Sequence, residues 1–149
     1  PVGVFVNAPM ELVRTLLDDG TLALAQLHGQ EDESYIRELK TYTDKLIIKA
    51  FSIKTAEDIE KALQSPADYI LLDQGGGGTG KTFDWSLIPE IQRPFFLAGG
   101  IGTSNLGQAI REIHPYAVDL SSSVETEKRK DPMKIRQVVD IVREIKIIN

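Results

Sequence analysis

Cysteine is absent from this chain of 149 residues. That excludes disulfides and thiolate metal sites, and it fits a reducing cytosol. The two histidines, His28 and His114, are too few for a histidine-based metal site without carboxylate help, so no metal is expected. An excess of positive charge is also lacking. Net charge is −5, pI is about 5.1, and the longest basic cluster, Lys128-Arg129-Lys130, reads as a solvated loop, so no nucleic-acid partner is expected. No apolar run approaches the ~18 residues that span a bilayer, and no signal peptide is visible. The expectation is a cytoplasmic protein without a membrane partner. The chain starts at Pro1 rather than Met, which leaves room for residues before it.

What the sequence does have is alternation. Short apolar runs take turns with amphipathic segments over the whole length. The runs are Val2–Val6, Leu22–Leu27, Leu46–Phe51, Tyr69–Asp73, Pro94–Ala98 and Tyr116–Leu120. Asn7, Thr55-Ala56-Glu57-Asp58, Thr103 or Ser104, and Asp131-Pro132 read as helix starts, and Gly20 reads as a stop. Continuous apolar strands alternating with amphipathic helices predict an α/β fold with a parallel sheet, here of six βα units in one domain over residues 1–149. Polar residues and glycines follow nearly every strand: Asn7, His28, Asp73, Gly99-Gly100 and Ser121-Ser122. An open sheet gathers its site at one switch point, whereas a barrel gathers all strand ends around one mouth. The distribution favours a barrel, although a closed (βα)8 barrel takes eight units.

The stretch from Tyr69 to Trp85 organises the rest. An apolar run ends in the carboxylate of Asp73, and a glycine-rich loop follows at once. Gly75 to Thr82 fits the nucleotide-binding expression G-x-x-x-x-G-K-[ST] letter for letter. That motif leads directly into a helix, and Pro89 leaves room here for little more than a turn or two. A P-loop-like nucleotide binder therefore stands as an alternative, beside a plain surface loop and an active-site loop of another kind.

Taken in order, Val2-Gly3-Val4-Phe5-Val6-Asn7, Gln26-Leu27-His28-Gly29, Leu71-Leu72-Asp73, Gly78-Thr79-Gly80-Lys81-Thr82-Phe83-Asp84-Trp85, Leu97-Ala98-Gly99-Gly100-Ile101 and Val118-Asp119-Leu120-Ser121-Ser122 resemble the phosphoribosylanthranilate isomerase family of tryptophan biosynthesis. The match covers nearly the whole chain. The resemblance implies a TIM-barrel fold of which this chain would supply family strands 3 to 8, an incomplete barrel. It implies an Amadori rearrangement of a phosphosugar substrate, from aminoaldose to aminoketose, with no cofactor. Asp73 matches the general acid, although an aspartate in this place also serves to cap a loop. Gly99, Gly100, Ser122 and Ser123 match the phosphate cradle, and Asp119 and His28 match substrate-pocket positions. Gly78, Thr79, Gly80 and Lys81 match a mobile lid.

The pattern departs from the family in two ways. The family's general base is a cysteine on a strand that precedes the region matched here, and this chain has none. Ser123 stands where the family often has glycine. The expectation is a portion lacking the base, with the N-terminal βα units supplied in cis or trans, or a homodimer through exposed sheet edges. A non-catalytic phosphate-binding or folding fragment, or a related sugar-phosphate enzyme, are the other readings.

Overall fold

The computed structural model describes residues 1–74 and 84–148, with side chains through Ile145. Six strands form one sheet: β1 (Val2–Phe5), β2 (Leu24–Leu27), β3 (Leu46–Ser52), β4 (Tyr69–Asp73), β5 (Phe95–Leu97) and β6 (Ala117–Val118). Their spatial order is their chain order, and every pairing is parallel. An open doubly wound sheet would show a reversal of strand order, and none occurs. The sheet curls into a partial barrel with its helices outside, as the sequence leads one to expect. β1 and β6 each pair on one side only among the described residues.

Five helices accompany the strands: α1 (Met10–Asp18), α2 (Glu33–Tyr42), α3 (Ala56–Leu63), α4 (Leu106–Ile113) and α5 (Pro132–Ile148). The capping box of α3 is present, with Thr55 and Asp58 satisfying each other's backbone N–H groups. Asp131 accepts from the Met133 amide at 2.9 Å and opens α5. Gly20, in the left-handed region at φ 78°, ends α1. Two expected caps are corrected. Asn7 does not cap α1, whose N-cap is Pro9. α4 is preceded by Asn105 rather than by Thr103 or Ser104. Asn7 is held by the loop after β2, and that contact outweighs the local helix signal, whereas Asn105 closes its own turn on Gly100 and Gly102. A third correction concerns Lys128-Arg129-Lys130. Arg129 and Lys130 form β8, which pairs antiparallel with β7 (Glu125–Thr126) in a small hairpin.

Period-2 alternation sorts the strand side chains onto two faces. Ile47, Ile70, Leu72, Phe95 and Leu97 face the helices and pack with Val13, Leu39, Ile59, Ala62, Leu106 and Ala109 in two outer clusters. Ile48, Ala50, Leu71 and Ala98 face inward with Leu24, Tyr69 and Phe96. The same parity turns Gln26, His28, Asp73 and Asp119 toward the barrel interior at the strands' C-terminal ends. On β1 the parity leaves Val2 and Val4 facing an interior that is uncovered on that side, at 48% and 61% exposure.

Candidate active site

The rim is assembled from loops that bond to one another as well as within themselves. Asn7, at φ 52°, leaves β1 and accepts the Gln30 amide on its Oδ1 at 2.6 Å. The Asn7 amide donates to Glu31 Oε1 at 2.6 Å, and the Gly29 amide donates to Glu31 Oε2 at 2.9 Å. Gly29 is required at this crossing, since a Cβ there would stand 2.5 Å from Asn7 Oδ1. Below the loop, buried Lys49 of β3 reaches up. Its Nζ donates to Gly29 O at 2.7 Å and to Glu31 Oε2 at 3.1 Å. Burial pushes the Glu31 carboxyl up, but the donors around it, Lys49 and Asn7 among them, outweigh this and hold it below the ordinary glutamate value. The loop after β2, which carries His28, is thereby pinned to β1 and β3.

His28 leans over the interior. Its Nε2 lies 3.5 Å from Asp73 Oδ2, and its Nδ1 lies 3.1 Å from the Gln26 carboxamide nitrogen. The hydrogen bond with Asp73 raises the imidazole above its ordinary value. Lost hydration opposes this, the charges of Asp73 and Asp119 add to it, and Lys49 opposes it. Asp119, which follows β6, is itself pushed up, first by the hydration that its neighbours strip from it and then by Asp73, with His28 and Lys130 acting the other way.

On its other side Asp73 meets the loop after β5. Gly99 and Gly100 both take positive φ, 78° and 70°. A Cβ on Gly99 would stand 2.5 Å from Asp73 Oδ1 and from the Gln74 amide, so only glycine brings the two loops this close. Asn105 holds the turn, donating to Gly100 O at 3.0 Å and accepting the Gly102 amide at 2.8 Å. The loop after β6 tightens into a 3-10 turn over Ser122–Val124 and comes against Gly102, where a Cβ would be 3.1 Å from Ser123 Cβ. The Ser123 hydroxyl is buried and has no hydrogen-bond partner among the described residues. Lys130 of β8 steadies this loop, donating to Ser121 O at 2.9 Å and to Glu125 at 2.8 Å.

Of the positions singled out in the sequence, His28, Asp73, Asp119, Gly99, Gly100, Ser122 and Ser123 all lie at the C-terminal ends of the strands. Gly78, Thr79, Gly80 and Lys81 fall outside the described residues. The segment after them forms only a three-residue 3-10 turn, Trp85–Leu87, where a nucleotide-binding P-loop would open a helix. Sequence reasoning missed Gln26, Glu31, Lys49, Asn105 and Lys130. A lysine inside the apolar run Leu46–Phe51 was the available signal, because an unpaired ammonium is not buried.

The family model described as N-(5'phosphoribosyl)anthranilate (PRA) isomerase matches residues 1–141. An N-(5'-phosphoribosyl)anthranilate isomerase of Endomicrobium trichonymphae is 45% identical over 148 residues, which cover 97% of this chain and 72% of that protein. This chain belongs to the N-(5'-phosphoribosyl)anthranilate isomerase family. A Bacillus cereus isomerase of the same name is 40% identical, with 93% of this chain and 70% of the relative covered. Among solved structures, the phosphoribosyl anthranilate isomerase of Thermotoga maritima superposes with a TM-score of 0.82 at 37% identity, covering 96% of this chain and 72% of that one. Another isomerase structure, a complex with reduced 1-(o-carboxyphenylamino)-1-deoxyribulose 5-phosphate, superposes with a TM-score of 0.79 at 34% identity, covering 96% and 71%. Family membership fits the strand order as well as the sequence, since consecutive parallel strands with a shared rim are what a TIM-barrel isomerase requires. No helix among the described residues is long and apolar enough to cross a membrane.

Proposed function

We propose that this chain carries the acid and the phosphate site of an enzyme of tryptophan biosynthesis that isomerises N-(5'-phosphoribosyl)anthranilate. The observation that carries this reading is the placement of Asp73. Its carboxyl lies between His28 and Gly99 at the rim, on the inner face, beside the two loops best suited to an anion. Asp73 gives a proton to the ribose ring oxygen as the C1'–O bond breaks, and the nitrogen lone pair forms the iminium. A base then removes the C2' proton, and the resulting enamine tautomerises to the aminoketose. Each step is a proton transfer, so the scheme draws on no cofactor.

Gly99, Gly100, Ser122 and Ser123 are assigned to the phosphate. Paired positive-φ glycines bring backbone close to a ligand, and the Ser123 hydroxyl, unpartnered among the described residues, is a donor suited to an anion there. Asp119 and His28 border the sugar. Gly78, Thr79, Gly80 and Lys81 are assigned as a lid on the resemblance alone. The base is assigned to residues outside these 149, because the chain lacks cysteine and the β1 side of the interior is uncovered. Two further βα units pairing with β1 and β6, in cis or trans, would cover it. A second copy is the other candidate for these edges, and a Thermotoga maritima relative is described as dimeric.

The test uses two measurements. Titration with reduced 1-(o-carboxyphenylamino)-1-deoxyribulose 5-phosphate should raise the melting temperature of the chain. Turnover should appear when the first two βα units of a relative are added, and Asp73→Asn should lower that turnover by about 10²–10⁴-fold. Absence of analogue binding with and without the added units would overturn the reading.

A further inference from the structure

Lys130 of β8 is held in place before its side chain makes any contact. Strand pairing sets it opposite Glu125 across the β7–β8 hairpin, and the amide of its neighbour Asp131 donates to Val124 O at 2.9 Å. The hairpin turn is Glu127-Lys128, both at positive φ, 52° and 62°. Neither is glycine, so the turn residues themselves do not favour this hairpin. Contacts around its arms hold it instead. Thr126 Oγ1 donates to Asp131 Oδ2 at 2.6 Å, and Lys134 Nζ donates to Glu125 O at 2.6 Å.

From that anchored position the Lys130 ammonium reaches the loop after β6. Nζ donates to Ser121 O at 2.9 Å, to Ser121 Oγ at 3.3 Å and to Glu125 Oε1 at 2.8 Å. An ammonium has three N–H bonds, and these three acceptors engage them. Lys130 is therefore not placed as a direct anion ligand. Its target is a peptide group. Ser121 O also accepts the Val124 amide at 3.3 Å, which closes the 3-10 turn. The peptide bond is trans, so its C=O and its N–H point in opposite directions. Holding Ser121 O toward Lys130 therefore holds the Ser122 N–H away from the hairpin. Without the ammonium the carbonyl keeps only the long bond from Val124, and the plane is less constrained.

We propose that Lys130 is a positioning residue which, by holding the Ser121 carbonyl, sets the direction in which the Ser122 N–H is presented to a phosphate. This rests on the assignment of Ser122 to the phosphate site.

The test follows this chain by NMR during titration with inorganic phosphate. In Lys130→Met the Ser121 carbonyl ¹³C and Ser122 amide ¹⁵N resonances should shift or broaden. Phosphate should bind about 10-fold or more weakly, as for one lost N–H to a charged acceptor. Lys130→Arg keeps N–H donors and should recover most of the affinity. Thr126→Val loosens the hairpin without touching Lys130, and should leave the affinity as in the wild type. An unchanged affinity in Lys130→Met would overturn the proposal, whatever the resonances do. So would weaker binding with the Ser121 and Ser122 resonances unmoved, because the ammonium would then act as a remote charge. Equal weakening by Thr126→Val would also overturn it, by tracing the effect to loss of the hairpin. Failure of the phosphate assignment shows separately, as Gly100 and Ser122 amides of the wild type that do not respond to phosphate at all.

Discussion

Lys49 and Glu31 meet at 3.1 Å beneath the loop that carries His28, with side chains 6% and 2% exposed. Such a pair is costly to desolvate, and removing one partner strands the other. Glu31→Gln should destabilise the fold by about 3–5 kcal/mol in chemical denaturation. Adding Lys49→Met should recover much of that loss, because the stranded ammonium is then gone. A double variant as unstable as the sum of the two singles would show that the pair acts through something other than charge.

The same pair sets an acid limb. The Glu31 carboxyl is held below its ordinary value of 4.5, so its contribution is present above 4.5 and is lost as pH falls through the lower folded value. Denaturation midpoints of the wild type should fall on acidification through that window. The fall should be shallower in the Glu31→Gln, Lys49→Met double variant.

His28 sets the opposite limb. Its folded value lies above 6.5, so it stabilises fully below 6.5 and its contribution disappears as pH rises through the folded value. The hydrogen bond with Asp73 is the largest cause. Asp73→Asn should therefore move the His28 titration, followed by NMR, back toward its ordinary range and flatten the loss of stability above pH 6.5.

Gly99 and Gly20 share a φ of 78° but not their surroundings. An alanine at Gly20 meets nothing within 4 Å and should cost only the left-handed backbone, about 1–2 kcal/mol. An alanine at Gly99 meets Asp73 Oδ1 and the Gln74 amide at 2.5 Å, so it should cost more and also abolish binding of the product analogue. Equal destabilisation by the two substitutions, measured side by side, would remove the close approach of the loops from the argument.

Asn105 ties Gly100 and Gly102 through its carboxamide. Asn105→Ala should destabilise by about 1–2 kcal/mol through the two lost hydrogen bonds. It should also weaken the thermal protection given by inorganic phosphate. Retained protection would show that the glycine turn holds its shape unaided.

Much of the architecture is written locally. Period-2 apolar runs, the Thr55–Asp58 box, the Asp131-Pro132 start and the Gly20 stop each depend on a few adjacent residues, and each appears where those residues stand. Asp73 was legible for the same reason, as a carboxylate closing an apolar run. The ends of elements were less legible. The last strand of the sheet is only Ala117–Val118, where the run Tyr116–Leu120 reads as a longer strand, because a strand needs a partner and β5 is short.

The sequence by itself determined the order of the elements, the parity that turns Asp73 inward and the absence of cysteine from these 149 residues. The curl of the sheet decided which rim residues meet. It brings His28 to Asp73, Lys49 to Glu31 and Asn7 to Gln30, across separations that no local periodicity spans. In those places the free energy of a buried charge or an unpaired amide is settled between loops, so Asn7 serves the loop after β2 rather than the helix beside it.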